Sequence, residues 1–188
     1  MSVSEAVGVR YKIDASRSHF TVQGSADGLL SMFGHDPVIA VCGFGGDVRF
    51  VPGTLEAASL LMLVQADSLA VVNQVSEKDK REMVRAMRDD VLEIVRFPEI
   101  VFMSTSITSN QTGEGQYRAR IVGNLSLHGV TREHPIEAQV IVTEDGLRAR
   151  GEFTLRQTDY RIKPVSVAGG TLKMKDELRL SFDIVAHA

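Results

Sequence analysis

The sequence predicts a mainly β protein: one antiparallel, eight-stranded barrel with a single helical insertion, built by residues 1–188 as one domain. Three observations carry that expectation. Apolar residues recur at every second position in about eight segments, the period of a strand with one buried face. Only one stretch lengthens the period to three or four residues. Most segments are joined by short turns rich in Gly, Asn, Asp and Pro, as antiparallel neighbours require. Apolar faces must be hidden from water, and closure into a barrel does so while removing edge strands. Two packed sheets are the main rival arrangement.

Tyr11 to Gln23 reads as the first strand, with Phe20 and Val22 on one side and His19, Thr21 and Gln23 on the other. A loop carrying Asp27-Gly28 and Gly34-His35-Asp36-Pro37 follows. In the extended run Val38 to Phe50, Val38, Ala40, Cys42 and Phe44 share a face, and Gly45-Gly46 marks an expected bulge or bend. Pro52-Gly53 turns the chain. Leu55 to Leu69 is apolar on both faces, as in a strand covered from two sides. From Ser76 to Val95 the period becomes helical, with Met83, Val84, Met87, Val91 and Val95 three or four apart. Ser76 and Asp79 can cap its start, a break is expected near Asp89-Asp90, and Phe97-Pro98 stops it, because a residue before proline is pushed out of the α region.

The remainder reads as β. Ile100 to Thr108 leads into a loop over Asn110 to Gly115. From Tyr117 to His128, Tyr117, Ala119, Ile121, Gly123, Leu125 and Leu127 oppose Arg118, Arg120, Asn124, Ser126 and His128. Ile136, Ala138, Val140 and Val142 form the next strand, and Glu144-Asp145-Gly146 is a tight hairpin signal. Leu147, Ala149, Gly151, Phe153 and Leu155 face inward on the return, as do Leu178, Leu180, Phe182 and Ile184 on the last strand.

Composition excludes several functions. The net charge of −3 leaves no basic excess to neutralise phosphates, so nucleic acid is not an expected partner. Lys78 to Arg88 alternates with Glu77, Asp79 and Glu82, which is a solvated helix face. Cys42, the single cysteine, forms no intrachain disulfide and reads as a small buried hydrophobe. No run approaches the roughly 18 uninterrupted apolar residues that cross a bilayer as a helix. Met1 to Gly8 has neither a basic nor a long apolar leader region, so a cytoplasmic chain is expected as written, and a periplasmic one if a leader was removed. No zinc-like spacing, phosphate loop or Gly-x-Ser-x-Gly elbow occurs, so no metal, cofactor or catalytic residue is expected. His35-Asp36, or His128 with His134 as metal ligands, keep an enzyme on the same barrel as an alternative, beside a solidly filled interaction module.

Several passages carry a resemblance. Gly123-Asn124-Leu125-Ser126-Leu127-His128-Gly129-Val130-Thr131-Arg132 resembles the G-x-L-T-L-x-G-V-T-R/K strand and turn of the YceI family, and Phe97-Pro98-Glu99-Ile100-Val101-Phe102-Met103-Ser104 its F-P-x-I-x-F-x-S passage. Tyr11-Lys12-Ile13-Asp14 is similar to the opening W-x-I/L-D, with Tyr for Trp, and Arg156 to Tyr160 to the late R-x-D-F-G, with Arg161 where Gly is usual. The resemblance runs from Tyr11 to Ala186 and implies a lipocalin-like barrel, a polyisoprenoid, isoprenoid quinone or fatty-acid-like ligand, non-enzymatic carriage or storage, and a homodimer.

The residues themselves agree with an internal tunnel. Trp is absent, and Ala119, Gly123, Ala149 and Gly151 lie on faces assigned inward, where they fill little volume. Met32, Met62, Met83, Met87, Met103 and Met174 can repack around a flexible chain. The expected wall is Phe20, Phe44, Leu61, Leu63, Phe102, Leu125, Leu127, Phe153, Leu180 and Phe182. His35, Asp36, Asp159 and Arg161 are the expected headgroup contacts at the mouth, each with a local turn role as the competing reading.

Overall fold

Alternation of buried and exposed residues converts most of the chain into strands. The computed structural model of the chain describes residues 8–27, 36–51, 54–167 and 172–188. In chain order its strands are β1 (Val9–Ile13), β2 (His19–Gln23), β3 (Ala26–Asp27), β4 (Val38–Val41), β5 (Phe44–Val51), β6 (Thr54–Gln65), β7 (Leu69–Val71), β8 (Glu99–Gly113), β9 (Gln116–Leu127), β10 (Val130–Thr143), β11 (Gly146–Arg156), β12 (Ser166–Val167), β13 (Leu172–Met174) and β14 (Glu177–His187). Helix α1 (Glu77–Ala86) lies between β7 and β8. Strands β1, β5, β6, β8, β9, β10, β11 and β14 pair antiparallel in that order, and β14 returns to β1, closing an eight-stranded barrel.

Three of the expected strands are interrupted. Tyr11 to Gln23 divides into β1 and β2 at a short 3-10 turn, Ala15–Arg17, held by Asp14, whose Oδ1 accepts from the Ser16 N–H. Val38 to Phe50 breaks at Cys42-Gly43, not at Gly45-Gly46, through which the β5–β6 ladder runs unbroken from Phe44↔Val64 to Arg49↔Ser59. Gly46 is still required, because its φ of 150° and the adjacent Leu61 carbonyl leave no room for a Cβ. Ile39 and Val41 therefore face inward on β4, and the expected face of Val38, Ala40 and Cys42 is the outer one; Cys42 is exposed. The third interruption, at Ala66–Ser68, separates β6 from β7. The loop expected over Asn110 to Gly115 is strand up to Gly113, with only Glu114-Gly115 turning.

Turn chemistry fixes the other registers. His128 and Gly129 both have positive φ, 51° and 73°, the two-residue turn whose twist matches the flanking strands. Glu144-Asp145 closes β10 onto β11 at Thr143↔Gly146. Ser76 caps α1 by accepting the Asp79 N–H at 3.1 Å. The helix passes at Met87–Val91 into a π-type turn, where the break near Asp89-Asp90 was expected, and then gives way to bends before Pro98.

The two ends of the barrel differ. At one, Tyr11 and Phe50 stack with ring centroids 4.7 Å apart, and Phe50 is 1% exposed, so the end is plugged. The other carries α1 and the small sheet β12-β13-β3. There, among the described residues, β7 pairs only with β4, and the β6–β8 ladder stops at Gln65↔Glu99. Between β7 and β8 no ladder forms among the described residues, and α1, which packs beside β7, contributes to the wall of the interior. Outside, cross-strand ion pairs such as Arg148 and Arg150 on Asp183 and Arg120 on Glu137 face solvent. On these strands the outer face is polar, unlike the apolar outer band of a bilayer-facing barrel.

Candidate functional site

The inward parity of the strands leaves a cavity of about 680 Å³ inside the barrel. Ala58, Leu60, Met62 and Val64 of β6, Ala119, Ile121, Leu125 and Leu127 of β9, and Leu178, Leu180, Phe182 and Ile184 of β14 line it. Helix α1 presents Asp79, Glu82, Met83 and Ala86 at helical spacing, followed by Met87, and so forms part of the same wall.

Of the expected wall residues, Phe20, Phe102, Leu125, Leu127, Phe153, Leu180 and Phe182 line this cavity. Three do not. Leu61 and Leu63 have the outward parity of β6, because Leu60, Met62 and Val64 point in; with Met103 and Val101 across the ladder they form an apolar row outside. Phe44 meets Phe20 edge-on at 6.3 Å and does not reach the cavity itself. Met62, Met83, Met87 and Met174 are on the wall, Met103 is 53% exposed outside, and Met32 lies outside the described residues. Gly123 and Gly151 do not open space as expected: a Cβ would lie 2.6 Å from the Phe102 ring at Gly123 and 2.6 Å from the Phe182 ring at Gly151, so the rings fill these places. Ala119 and Ala149 do line the cavity.

Of the expected headgroup residues, the three described, Asp36, Asp159 and Arg161, do not line it. His35 lies outside the described residues. Asp36 is a turn residue whose Oδ1 accepts from Ala26 N–H at 3.0 Å. Asp159 pairs with Arg132 at 3.0 Å. Arg161 is exposed with φ of 58°, a left-handed conformation in which Gly carries no steric penalty and Arg costs about 1–2 kcal/mol. Among the described residues the polar ones on the wall are instead Gln157, which is buried, and Asp79 and Glu82, both exposed, with Asp79 also accepting from the Ser76 hydroxyl. The helical spacing of Asp79 and Glu82 with Met83 and Met87 was the available signal for the first two; none distinguished Gln157.

A polar joint braces the helix end. His128 Nε2 lies 2.8 Å from Glu93 Oε2, its Nδ1 3.2 Å from the Tyr160 carbonyl, and its ring 4.6 Å from that of Phe97. Arg96 and then His128 hold the Glu93 carboxyl below the usual range. Glu93, His128 and Arg161 are the non-glycine residues with positive φ among those described, and Tyr160 links Arg161 to this joint. His134 is elsewhere, edge-on to Phe153 at 5.2 Å, and burial lowers its pKa. Among the described residues no three His, Cys, Asp or Glu side chains gather as a metal site.

Comparison with known proteins gives a consistent answer. A model of the YceI-like domain matches residues 11–186. A UPF0312 protein of Pseudomonas syringae pv. syringae is 27% identical over 97% of this chain and 90% of its own length, and one of Shewanella sp. is 29% identical over 81% and 76%. Among solved structures, Burkholderia cenocepacia BcnA superposes with a TM-score of 0.70 at 16% identity, covering 92% of this chain and 98% of that one. A polyisoprenoid binding domain from Saccharophagus degradans, implicated in plant cell wall breakdown, gives 0.68 at 12%, covering 95% and 98%. At these identities the structures share the fold.

Proposed function

The chain belongs to the YceI-like family, and from that premise we propose that it binds one long apolar lipid, of the isoprenoid kind, inside its barrel and carries or stores it chemically unchanged. The cavity is the observation that carries this reading. An apolar space of about 680 Å³ is costly to leave empty, because its lining side chains forgo the packing contacts that an occupant would supply. Water is a poor occupant, because it needs two to four polar partners and, among the described residues, the wall is apolar but for Asp79, Glu82 and Gln157. An apolar chain removes the penalty and contributes roughly 25 cal/mol per Å² of surface buried, before the loss of its own freedom.

The polyisoprenoid-binding neighbour supports the ligand class. A solidly filled interaction module does not fit a barrel with this interior. Homodimer formation is a separate proposal, supported by the resemblance and by the outward row that includes Leu63 and Met103, 36% and 53% exposed. Sedimentation reading only monomer would remove it.

Mass spectrometry of an organic extract of the purified protein tests the main reading. One equivalent of a long-chain lipid, recovered unaltered after incubation, is the expected result. A delipidated protein that takes up no chain in a titration, yet melts as the purified protein does, overturns it.

A further inference from the structure

Between Glu77 and Asp90 the sequence mixes basic and acidic residues, and the fold sorts them. Helix α1 sets Asp79, Glu82, Met83 and Ala86 at the wall of the interior. On another side Lys78, Arg81, Arg85 and Arg88 follow at spacings of three, four and three residues, one stripe along the helix and into the turn after it, and all four are exposed. Among the described residues Lys78, Arg81 and Arg88 form no ion pair, and Arg85 has one long contact, 3.8 Å to Asp89. Glu77 and Asp89 are the carboxylates beside the stripe, two against four, so a cationic strip stands on a chain whose net charge is −3.

Apolar side chains are exposed at the same rim. Val95 is 93% exposed and Val72 52%. Both are close in sequence to wall residues, Val95 to Val91 and Leu92, and Val72 directly after Val71. Val95 is at the tip of a tight turn that begins at Glu93, whose carbonyl accepts from the Arg96 and Phe97 N–H groups at 2.8 and 3.0 Å. Glu93 has a φ of 46°, and its carboxylate is held by Arg96 at 3.0 Å and by His128 at 2.8 Å. The turn is thus braced from two sides, and it fixes an aliphatic side chain in water, where strained backbone supports an apolar tip that packs on nothing within the fold.

We propose that this end of the barrel docks on a bilayer surface of anionic phospholipid, with Lys78, Arg81, Arg85 and Arg88 against the headgroup phosphates and Val95 entering the interface. Charge complementarity names the surface: a helix-borne cluster of four Lys and Arg is attracted to anionic lipid and not to a zwitterionic one. The proposal rests on the reading of the cavity as a lipid site. Tyr11 and Phe50 plug the opposite end, so a long apolar chain passes through this rim, and a docked rim spares it the passage through water.

The chain has no Trp, so one introduced indole reports its own surroundings. Val95→Trp is mixed with vesicles of phosphatidylcholine alone and of phosphatidylcholine with phosphatidylglycerol. The control is Ile141→Trp, at a site 43% exposed on β10 near the plugged end, where β11 leads through Gly146 to His187 and Lys12. Emission of Val95→Trp shifts to the blue with the anionic vesicles only, and that of Ile141→Trp does not move. In cosedimentation Arg81→Gln/Arg85→Gln/Arg88→Gln binds the anionic vesicles about a hundredfold more weakly, a factor of about five for each charge removed, and added salt weakens the wild type. Wild-type protein that ignores anionic vesicles, a triple variant that binds them as the wild type does, or a shift in Ile141→Trp and not in Val95→Trp overturns the docking, and lipid in the organic extract still upholds the cavity reading. An acidic protein held on the stripe in place of vesicles overturns it as well. Vesicle binding by a protein that holds and takes up no lipid sustains the docking and sinks the cavity reading alone.

Discussion

Replacing Ala149 by Trp fills the cavity from its wall and leaves the barrel's ladder untouched. Ala149 sits on β11 opposite Val140 of β10 and Ile184 of β14, both of which also line the cavity. An indole in place of a methyl adds about 140 Å³, a fifth of the 680 Å³ available, or the room of roughly five methylenes. At about 0.8 kcal/mol per methylene the displaced contacts amount to about 4 kcal/mol, near a thousandfold in affinity for a chain that fills the whole space. Because the ring enters empty volume and displaces no packed atoms, the delipidated variant should melt at or above the wild-type temperature. Arg150→Trp is the control: it places the same ring outside, where Asp183 keeps Arg148 as a partner. Lipid stoichiometry by mass spectrometry should collapse in Ala149→Trp and persist in Arg150→Trp. If a folded Ala149→Trp retained wild-type lipid content, the cavity would not be where the chain lies.

Further outcomes follow from single positions. Met62→Glu puts a carboxylate on the apolar wall and should cost several kcal/mol, whereas Leu63→Glu, one residue on and outward, should stay within about 1 kcal/mol in denaturant titrations. The Asp14 carboxyl is lowered from 3.8 to about 2 by its hydrogen bonds with His187 and Ser16. Its stabilisation is therefore present above the ordinary carboxylate range and lost as pH falls through about 2, so melting curves of Asp14→Asn should fall less steeply than wild type below about pH 4. Cys42, exposed on the outer side, should react fully with a thiol reagent without denaturant; a thiol that titrates only after unfolding would contradict the parity of β4.

How much of this was legible depended on contrast between the two faces of each strand. In β9, Ala119, Ile121, Leu125 and Leu127 alternate with Arg118, Arg120, Asn124 and Ser126, and the inner face could be read directly. In β6 both faces are apolar, since Leu61 and Leu63 meet Met103 and Val101 outside, so parity carried no compositional signal. The break at Cys42-Gly43 is tertiary: Cys42 N–H donates to the Ser68 carbonyl, Gln65 N–H to that of Gly43, and a Cβ on Gly43 would lie 2.7 Å from that of Ser68. Nothing within residues 38–50 reveals it. The expected headgroup contacts were chosen for their chemistry and their loops, but Asp36 and Asp159 are already engaged by neighbours. Gln157 was missed because its burial is created by the turn that brings Ile162 N–H back to its carbonyl. The helix was legible in type, capping and break, since all three are local.

The missing ladder between β7 and β8 gives the molecule two clocks. Amides of β9 and β10 are locked into ladders on both sides and exchange with solvent only when the whole ring opens. Helix α1 and the Met87 that follows it are held by side-chain packing and by no strand ladder, so the amides of α1 should exchange at a lower free energy than those of the ring. Under the proposed function, release of a bound chain would then follow the helical latch, while resistance to heat follows the laddered hull.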